Sequence, residues 1–309
     1  MKCDRVLRMN RNLAVFLFLA ACAAAPAQVF TLSRDQLMKY TEKWQGERFA
    51  DGRPKVDDKL LKKMEGVSAE EVWSVLPGEG YRNQYEGDFK ILHPEKKLIG
   101  RAVTVQFMPA RPDMKGPNDA DARAKGVINP GNQRVIDMLQ DGDVLVADIF
   151  GKIEGGTLVG DNLATYIWAV THRGFVVDGA VRDLDGLMEI PMGAYFRGVH
   201  PTPISQELMI TGINVPIRIG NATVLPGDVV FGDREGVYFV PPQTVQKILT
   251  KADELHIHDD WTQDKFLHET SKYKSSEIYG SPRDPKVKAE YQEYLKKKLE
   301  ELHAKEGSK

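Results

Sequence analysis

The chain has 309 residues, with 42 lysines and arginines against 44 aspartates and glutamates, for a net charge of -2. Hydrophobic residues make up 42% of it and charged residues 28%, which excludes a disordered, collagen-like or multi-span membrane protein. Domains that hold nucleic acid are usually clearly basic, so the near-neutral charge leads us to expect no nucleic-acid partner.

Residues 1–27 have the pattern of an export signal. Basic residues precede an apolar run at 13–21 that is too short to span a bilayer. Ala25-Pro26-Ala27 fits a signal-peptidase site, whereas Leu19-Ala20-Ala21-Cys22 resembles a bacterial lipobox that would place a lipid on Cys22. A buried N-terminal helix is a third interpretation. We expect an exported protein, either periplasmic or secreted, or a lipoprotein anchored to the membrane through Cys22.

Both cysteines, Cys3 and Cys22, lie in this segment. The mature protein is therefore expected to have no disulfide, no cysteine nucleophile and no cysteine-ligated zinc. Any catalytic metal must take oxygen or histidine ligands.

Residues 28–64 are predicted to form an N-terminal extension of short polar helices. Ser33 and the Asp57-Asp58 pair are suitable residues for the starts of two of them. Ser68 and Glu71 then form a capping box, which predicts that another helix begins there.

A strand is predicted over Leu98–Phe107, and a short helix over Asn132–Leu139. Between them, the proline-rich segment 109–131 is interpreted as a surface loop. It is longer than the loops of compact domains usually are, which makes it a candidate functional loop.

The central part predicts a strand–helix–strand unit. An apolar run at 144–149 is typical of a buried strand, and a glycine-rich turn follows at 151–160. A helix is predicted over 162–172 and a second strand over 174–178. This order favours the α/β class.

Short strands are predicted within 200–240 and a helix over 243–256, whereas 257–283 shows little periodicity. Asp284 and Pro285 then predict the start of a terminal helix. Apolar residues at helical spacing give this helix a stripe that either packs on its own domain or contacts another subunit. The stripe consists of Val287, Tyr291, Tyr294, Leu295, Leu299 and Leu302.

The glycine-rich turn does not match a nucleotide-binding loop, since it has neither G-x-G-x-x-G nor G-K-[ST]. It does lead into a helix whose first backbone N–H groups, at Asp161, Asn162 and Leu163, can bind a carboxylate or phosphate. A plain capped helix is the alternative. His256 and His258 suggest a metal cluster, but a solvated helix terminus explains them better.

Arg182 and Asp183 follow the strand at 174–178. Ligands of α/β folds bind at the carboxyl ends of strands. The carboxylate can hold Mg²⁺ and the guanidinium can bind an anionic substrate. A structural ion pair between the two is the alternative.

Asp161 is followed, after twenty residues, by Arg182-Asp183, and glycines precede both positions at Gly160 and Gly179. With Gly142–Asp148 and Pro226–Val237, these motifs make the chain similar to the RraA-like family, which includes class II 4-hydroxy-4-methyl-2-oxoglutarate aldolases. The resemblance spans about residues 65–250, and we assign 65–256 to the catalytic domain and 257–309 to a C-terminal extension.

The resemblance implies a swivelling β/β/α domain with helical extensions, assembled as a homotrimer or a hexamer. It also implies that Asp183 binds Mg²⁺ or Mn²⁺ and that Asp161 contacts the metal through water. Arg182 would bind a 2-oxo acid, and the turn Gly160–Leu163 would hold its carboxylate. In family aldolases an acidic residue of the neighbouring subunit assists, but the divergent tail carries no position to match it.

The expected function is a metal-dependent lyase that releases pyruvate from 4-hydroxy-4-methyl-2-oxoglutarate-like substrates, decarboxylates oxaloacetate, or does both. Cleavage of a sugar-derived acid is a variant of this chemistry. The alternative is a non-catalytic binding protein, since some family members inhibit a ribonuclease. The family was once labelled a menaquinone methyltransferase, but this sequence has no G-x-G-x-x-G cofactor loop to support that activity.

Overall fold

The structure is a computed structural model that describes residues 29–204 and 207–306. The predicted export segment, with Cys3 and Cys22, lies outside the described residues. Within those two ranges, no helix is both long and apolar enough to cross a bilayer.

A nine-stranded mixed sheet forms the centre of the molecule, in the order β1-β11-β10-β3-β4-β5-β6-β2, with β7 beside β3. A separate hairpin pairs β8 with β9. The strands are β1 (Tyr85–Glu86), β2 (Lys90–Ile91), β3 (Leu98–Pro109), β4 (Asp143–Thr157), β5 (Gly174–Val181), β6 (Gly193–Val199), β7 (Leu208–Ile213), β8 (Ile217–Ile219), β9 (Ala222–Val224), β10 (Val229–Gly232) and β11 (Val237–Val240).

The helices lie around this sheet. They are α1 (Arg34–Tyr40), α2 (Asp58–Met64), α3 (Ala69–Val75), α4 (Pro112–Ala124), α5 (Gln133–Ile136), α6 (Asp161–Thr171), α7 (Leu184–Met188), α8 (Val245–His268), α9 (Ser275–Ile278) and α10 (Pro285–Glu306). The capping box predicted at Ser68 is present, and Ser33 forms a second one at the start of α1. The α/β class is confirmed.

Strands β3, β4, β5 and β6 run parallel to one another. Every residue of β5 is buried, as is the stretch 143–149 of β4. Continuous apolar runs of this kind are typical of parallel strands covered on both faces. Because these strands are parallel, the segments that follow β4, β5 and β6 meet at one edge of the sheet.

The N-terminal extension is joined to the sheet by two ion pairs, of which the first is buried on both sides. Arg53 contacts Asp143 at the start of β4 at 3.2 Å, and Arg101 of β3 pairs with Asp58. Burial raises the pKa of Asp143, while the Arg53 guanidinium opposes that shift. The extension is therefore part of the folded domain and closes the amino-terminal edge of the sheet.

The prediction of a surface loop at 109–131 is wrong for most of the segment, because helix α4 occupies Pro112–Ala124. Pro112 lies in the first helical turn, where its missing N–H costs nothing. Lys115–Asp119 and Asp121–Lys125 form ion pairs one turn apart, and Ala122 is fully buried. These contacts outweigh the internal Pro117 that had suggested a loop.

The predicted glycine-rich turn at 151–160 is also wrong in part, since β4 continues to Thr157. The register with β5 shifts twice, after Asp148 and after Lys152. Gly151 and Gly155 have positive φ angles of 73° and 66° at these irregularities. Glycine commonly marks a bulge of this kind, and the sequence pattern alone does not distinguish it from a turn.

The tail is more regular than predicted, because α8 runs on to His268. Trp261 of α8 is buried against Tyr273 and Tyr291. Val287 and Tyr294 of α10 pack on the same cluster. The first part of the α10 stripe therefore packs on its own chain, the first of the two interpretations.

Candidate active site

The candidate site lies at the carboxyl ends of β4, β5 and β6. β5 ends at Val181, so that Arg182 and Asp183 follow directly. The Arg182 N–H donates to Val159 O at 3.1 Å, which joins the end of β5 to the segment that leads into α6. The sheet thus brings the two halves of the sequence motif together.

The side chains of Arg182 and Asp183 are open to solvent. Their closest ion-pair atoms, Nε and Oδ2, are 3.5 Å apart, and the side chains are 38% and 43% exposed. An exposed pair at this distance contributes little to stability. These observations argue against a structural role and leave both charged groups accessible to a ligand.

Asp183 has an uncommon backbone conformation. Its φ of 56° and ψ of 48° lie in the left-handed region, where a residue other than glycine is strained. Such strain is found most often at functional sites, where the surrounding structure holds it. Here the Asp183 carbonyl accepts a hydrogen bond from Leu187 N at 3.0 Å, which fixes the residue at the start of α7.

Two glycines allow the close packing of this site. A Cβ at Gly160 would lie 3.0 Å from Arg182 Nε and closer still to the Asp183 carboxylate. A Cβ at Gly186 would lie 2.6 Å from Asp161 Oδ2. Gly160, Asp161, Arg182 and Asp183 are therefore in one cluster, as the sequence motif predicted.

Helix α6 begins beside this cluster. Its N-cap residue is Gly160, and the helix has no side-chain cap. Its positive dipole end therefore faces the site. The backbone N–H of Asn162, one of the three expected to bind a ligand, donates instead to Asp161 Oδ1 at 2.7 Å, so that part of the prediction is wrong. Leu163 is half-buried and packs on the core.

His256 and His258 lie within α8, not at its end, and contact residues outside the cluster. His256 pairs with Glu71 at 2.7 Å, and His258 contacts Gly280 O at 2.6 Å. Among the described residues, no group of three or more potential ligands could hold a metal ion. The interpretation of His256 and His258 as a helix terminus is wrong, because α8 continues past both of them to His268.

Sequence reasoning missed His200, which follows β6. The backbone N–H of His200 donates to Val181 O at 3.0 Å, which places His200 beside Arg182. The sequence did contain a signal for His200, since it is a polar residue that directly follows β6, the parallel strand next to β5. Arg197, by contrast, lies within β6 and is held between Asp178 and Glu86 at 2.7 and 2.9 Å.

A family model described as RraA-like (Aldolase/RraA) matches residues 68–239, more than half of the chain. The chain belongs to the RraA-like family. The match includes the whole cluster around Arg182 and ends before α8, so both extensions lie outside it.

The RraA-like chain is 30% identical over 171 residues to a protein of Halalkalibacterium halodurans provisionally named 4-hydroxy-4-methyl-2-oxoglutarate aldolase, covering 55% of this chain and 72% of that one. It is 32% identical over 109 residues to the Thermus thermophilus protein named 4-hydroxy-4-methyl-2-oxoglutarate aldolase, covering 35% of this chain and 65% of the relative.

Among solved structures, a Streptomyces coelicolor member of the RNase ES inhibitor RraA protein family matches with a TM-score of 0.57 and 29% identity. The match covers 70% of this chain and 98% of that one. The nine-stranded sheet and the site at its edge therefore belong to an RraA-like fold that carries additional helices at both ends.

Proposed function

We propose that this protein is a divalent-metal-dependent lyase for small 2-oxo acids. It would cleave 4-hydroxy-4-methyl-2-oxoglutarate-like substrates to pyruvate by a retro-aldol reaction, decarboxylate oxaloacetate, or do both. The observation that carries the proposal is the convergence of Asp161, Arg182 and Asp183 at one sheet edge, with the Arg182–Asp183 pair exposed. The aldolase names of the relatives support the same chemistry.

The carboxylates of the cluster fit a metal of this class. Mg²⁺ is commonly held by one or two carboxylates and keeps several waters. The Asp183 carboxylate is 43% exposed, and Asp161 lies beside the same glycine-lined turn. Asp183 would hold Mg²⁺ or Mn²⁺ directly and Asp161 through water. When bound, the metal supplies Lewis-acid stabilisation of negative charge on the substrate.

The chain's own groups have separate roles in this mechanism. The amino end of α6, from Gly160 to Leu163, would bind the substrate carboxylate through its dipole and through its N–H groups other than that of Asn162. The Arg182 guanidinium would orient the substrate with two parallel donors, one to the keto oxygen and one to a carboxylate oxygen. In the retro-aldol reaction the 4-hydroxyl proton would pass to solvent and its carbon would become a carbonyl as the C3–C4 bond breaks. The electron pair of that bond would pass to the keto oxygen, where Arg182 would stabilise the resulting enolate, and a proton from solvent would convert the enolate to pyruvate. A Schiff-base lysine is not required.

A pyruvate-release assay on a panel of 2-oxo acids tests this proposal. We expect activity with Mg²⁺ or Mn²⁺, loss of activity in EDTA, and recovery when metal is restored. Asp183→Asn should abolish activity, while Asn keeps the left-handed backbone accessible. Asp185→Asn, at an exposed position two residues further on, is the matched control and should remain active. Full activity in EDTA would contradict the metal mechanism.

The alternative is a non-catalytic binding or regulatory protein, which the similarity to the Streptomyces coelicolor RraA family member favours. It predicts no pyruvate release from any 2-oxo acid with metal present. It also predicts that Asp183→Asn leaves the protein's interactions unchanged, because the exposed cluster would have no ligand to bind.

We also propose that the protein is exported and forms a homotrimer or a hexamer. Mass spectrometry of the protein from its native host should find a start at Gln28 or a lipid on Cys22. An intact Met1 would contradict both. Light scattering after size-exclusion chromatography should give three or six times the mass of the mature chain, and a monomer would contradict the assembly.

A further inference from the structure

His200 lies on the side of Arg182 opposite to α6. Val181 and Val199 are paired in the parallel register of β5 and β6, so the next two residues, Arg182 and His200, are neighbours at the sheet edge. On the other side of Arg182, the backbone N–H of Arg182 donates to the carbonyl oxygen of Val159. Val159 directly precedes Gly160, the N-cap of α6. The amino end of α6, Arg182 and His200 therefore follow one another along the edge.

The surrounding hydrogen bonds fix the tautomer of His200. The Thr202 N–H lies 3.4 Å from His200 Nδ1 and can only donate, so Nδ1 is an acceptor. Thr202 Oγ1 lies 3.0 Å from the same nitrogen and accepts from Gly155 N at 3.1 Å. The proton of the neutral ring is therefore on Nε2, which has no hydrogen-bond partner among the described residues.

The spacing of these groups suits a ligand with two anionic ends. Neighbouring strands are about 4.8 Å apart, so the amino end of α6 and His200 are separated by about 10 Å along the edge. A five-carbon 2-oxo dicarboxylate, with a hydrogen bond at each end, covers such a span. With one carboxylate at α6 and its keto oxygen at Arg182, its other carboxylate reaches the half-buried His200.

We propose that His200 is a specificity-determining residue that donates from Nε2 to the distal carboxylate of dicarboxylic 2-oxo acids. This inference rests on the proposed function, since it uses the same orientation of the 2-oxo acid. It predicts that the protein prefers dicarboxylic substrates over those that end in a methyl group, because only the former accept this bond.

The test compares two ligands that need no turnover, 2-oxoglutarate and pyruvate, by calorimetry with Mg²⁺ and the full-length protein. His200→Leu should weaken 2-oxoglutarate binding at least about tenfold, as expected for a lost hydrogen bond to a charged group, and leave pyruvate binding unchanged. His200→Gln should retain most of the affinity, because its amide N–H replaces Nε2–H. His268→Leu, at an exposed position in the tail, is the control.

Equal losses for both ligands in His200→Leu would overturn the inference and indicate a structural role. Unchanged 2-oxoglutarate binding in that variant, or no binding to the unmutated protein, would also overturn it. If His200 discriminates between the two ligands but no pyruvate is released from any substrate, the subsite stands and the proposed lyase fails. If the protein is a lyase, His200→Leu should raise KM for 4-hydroxy-4-methyl-2-oxoglutarate, with kcat unchanged, and leave 4-hydroxy-2-oxopentanoate unaffected.

Discussion

Two arginine–aspartate pairs lie at opposite edges of the same sheet. At the amino-terminal edge, Arg53 and Asp143 are 4% and 0% exposed and 3.2 Å apart. At the carboxyl-terminal edge, Arg182 and Asp183 are 38% and 43% exposed and 3.5 Å apart. Identical residue types thus form a structural contact at one edge and an accessible site at the other. Burial, not the type of residue, distinguishes the two.

The largest expected effect is on stability at the amino-terminal edge. Arg53→Ala removes the cation that contacts the buried Asp143 carboxylate and leaves it the Gln140 N–H and the more distant charge of Arg101, which should cost about 3–5 kcal/mol of unfolding free energy. Arg182→Ala, the matched substitution at the other edge, should cost less than about 1 kcal/mol. Urea unfolding of both variants measures the difference. A collapse of Arg182→Ala with little change in Arg53→Ala would reverse the assignment of the two pairs.

The next effect is on catalysis at the carboxyl-terminal edge. Arg182→Lys keeps the charge but loses the planar pair of donors that would bind the carboxylate and enolate oxygens. Removal of one such donor typically lowers the rate about 10²–10³-fold, or about 3–4 kcal/mol. The measurement is kcat/KM for pyruvate release, with the urea midpoint as a control for folding. Near-normal turnover would show that Arg182 does not act on the substrate.

The smallest effect concerns a buried carboxyl, that of Asp228, beside which the described part of the chain places no cation. Asp228 is 3% exposed, and burial raises its pKa to about 7, although Leu225 N donates to it at 2.8 Å. The folded protein therefore binds a proton that the unfolded chain releases near pH 4. Stability from this group is greatest below pH 4 and is lost as the pH rises to about 7.

Between pH 5 and pH 7 this loss should be about 2 kcal/mol. Asp228→Asn keeps an oxygen acceptor for Leu225 N and cannot ionise, so it should remove this part of the pH dependence. Urea midpoints of the two proteins at pH 5 and pH 7 test the expectation. Parallel pH profiles would show that Asp228 stays ionised in the fold.

Sequence alone was sufficient for the features that depend on neighbouring residues. The caps at Ser33 and Ser68 form because a hydroxyl reaches the N–H groups of its own helix. The buried run 144–149 predicted a central strand because it is apolar on both faces. The spacing from Asp161 to Arg182 and Asp183 identified the cluster, since one strand–helix–strand unit returns the chain to the same sheet edge.

The tertiary structure decided what depends on distant partners. The bulged extension of β4 exists because β5 supplies hydrogen bonds up to Thr157. Helix α8 continues past His256 because Tyr273 and Tyr291 cover Trp261. The burial of Asp143 and the exposure of Asp183 are set by which segment covers each edge, and His200 joins the site only through the register of β6 with β5. Such contacts join residues far apart in the chain, so no local pattern encodes them.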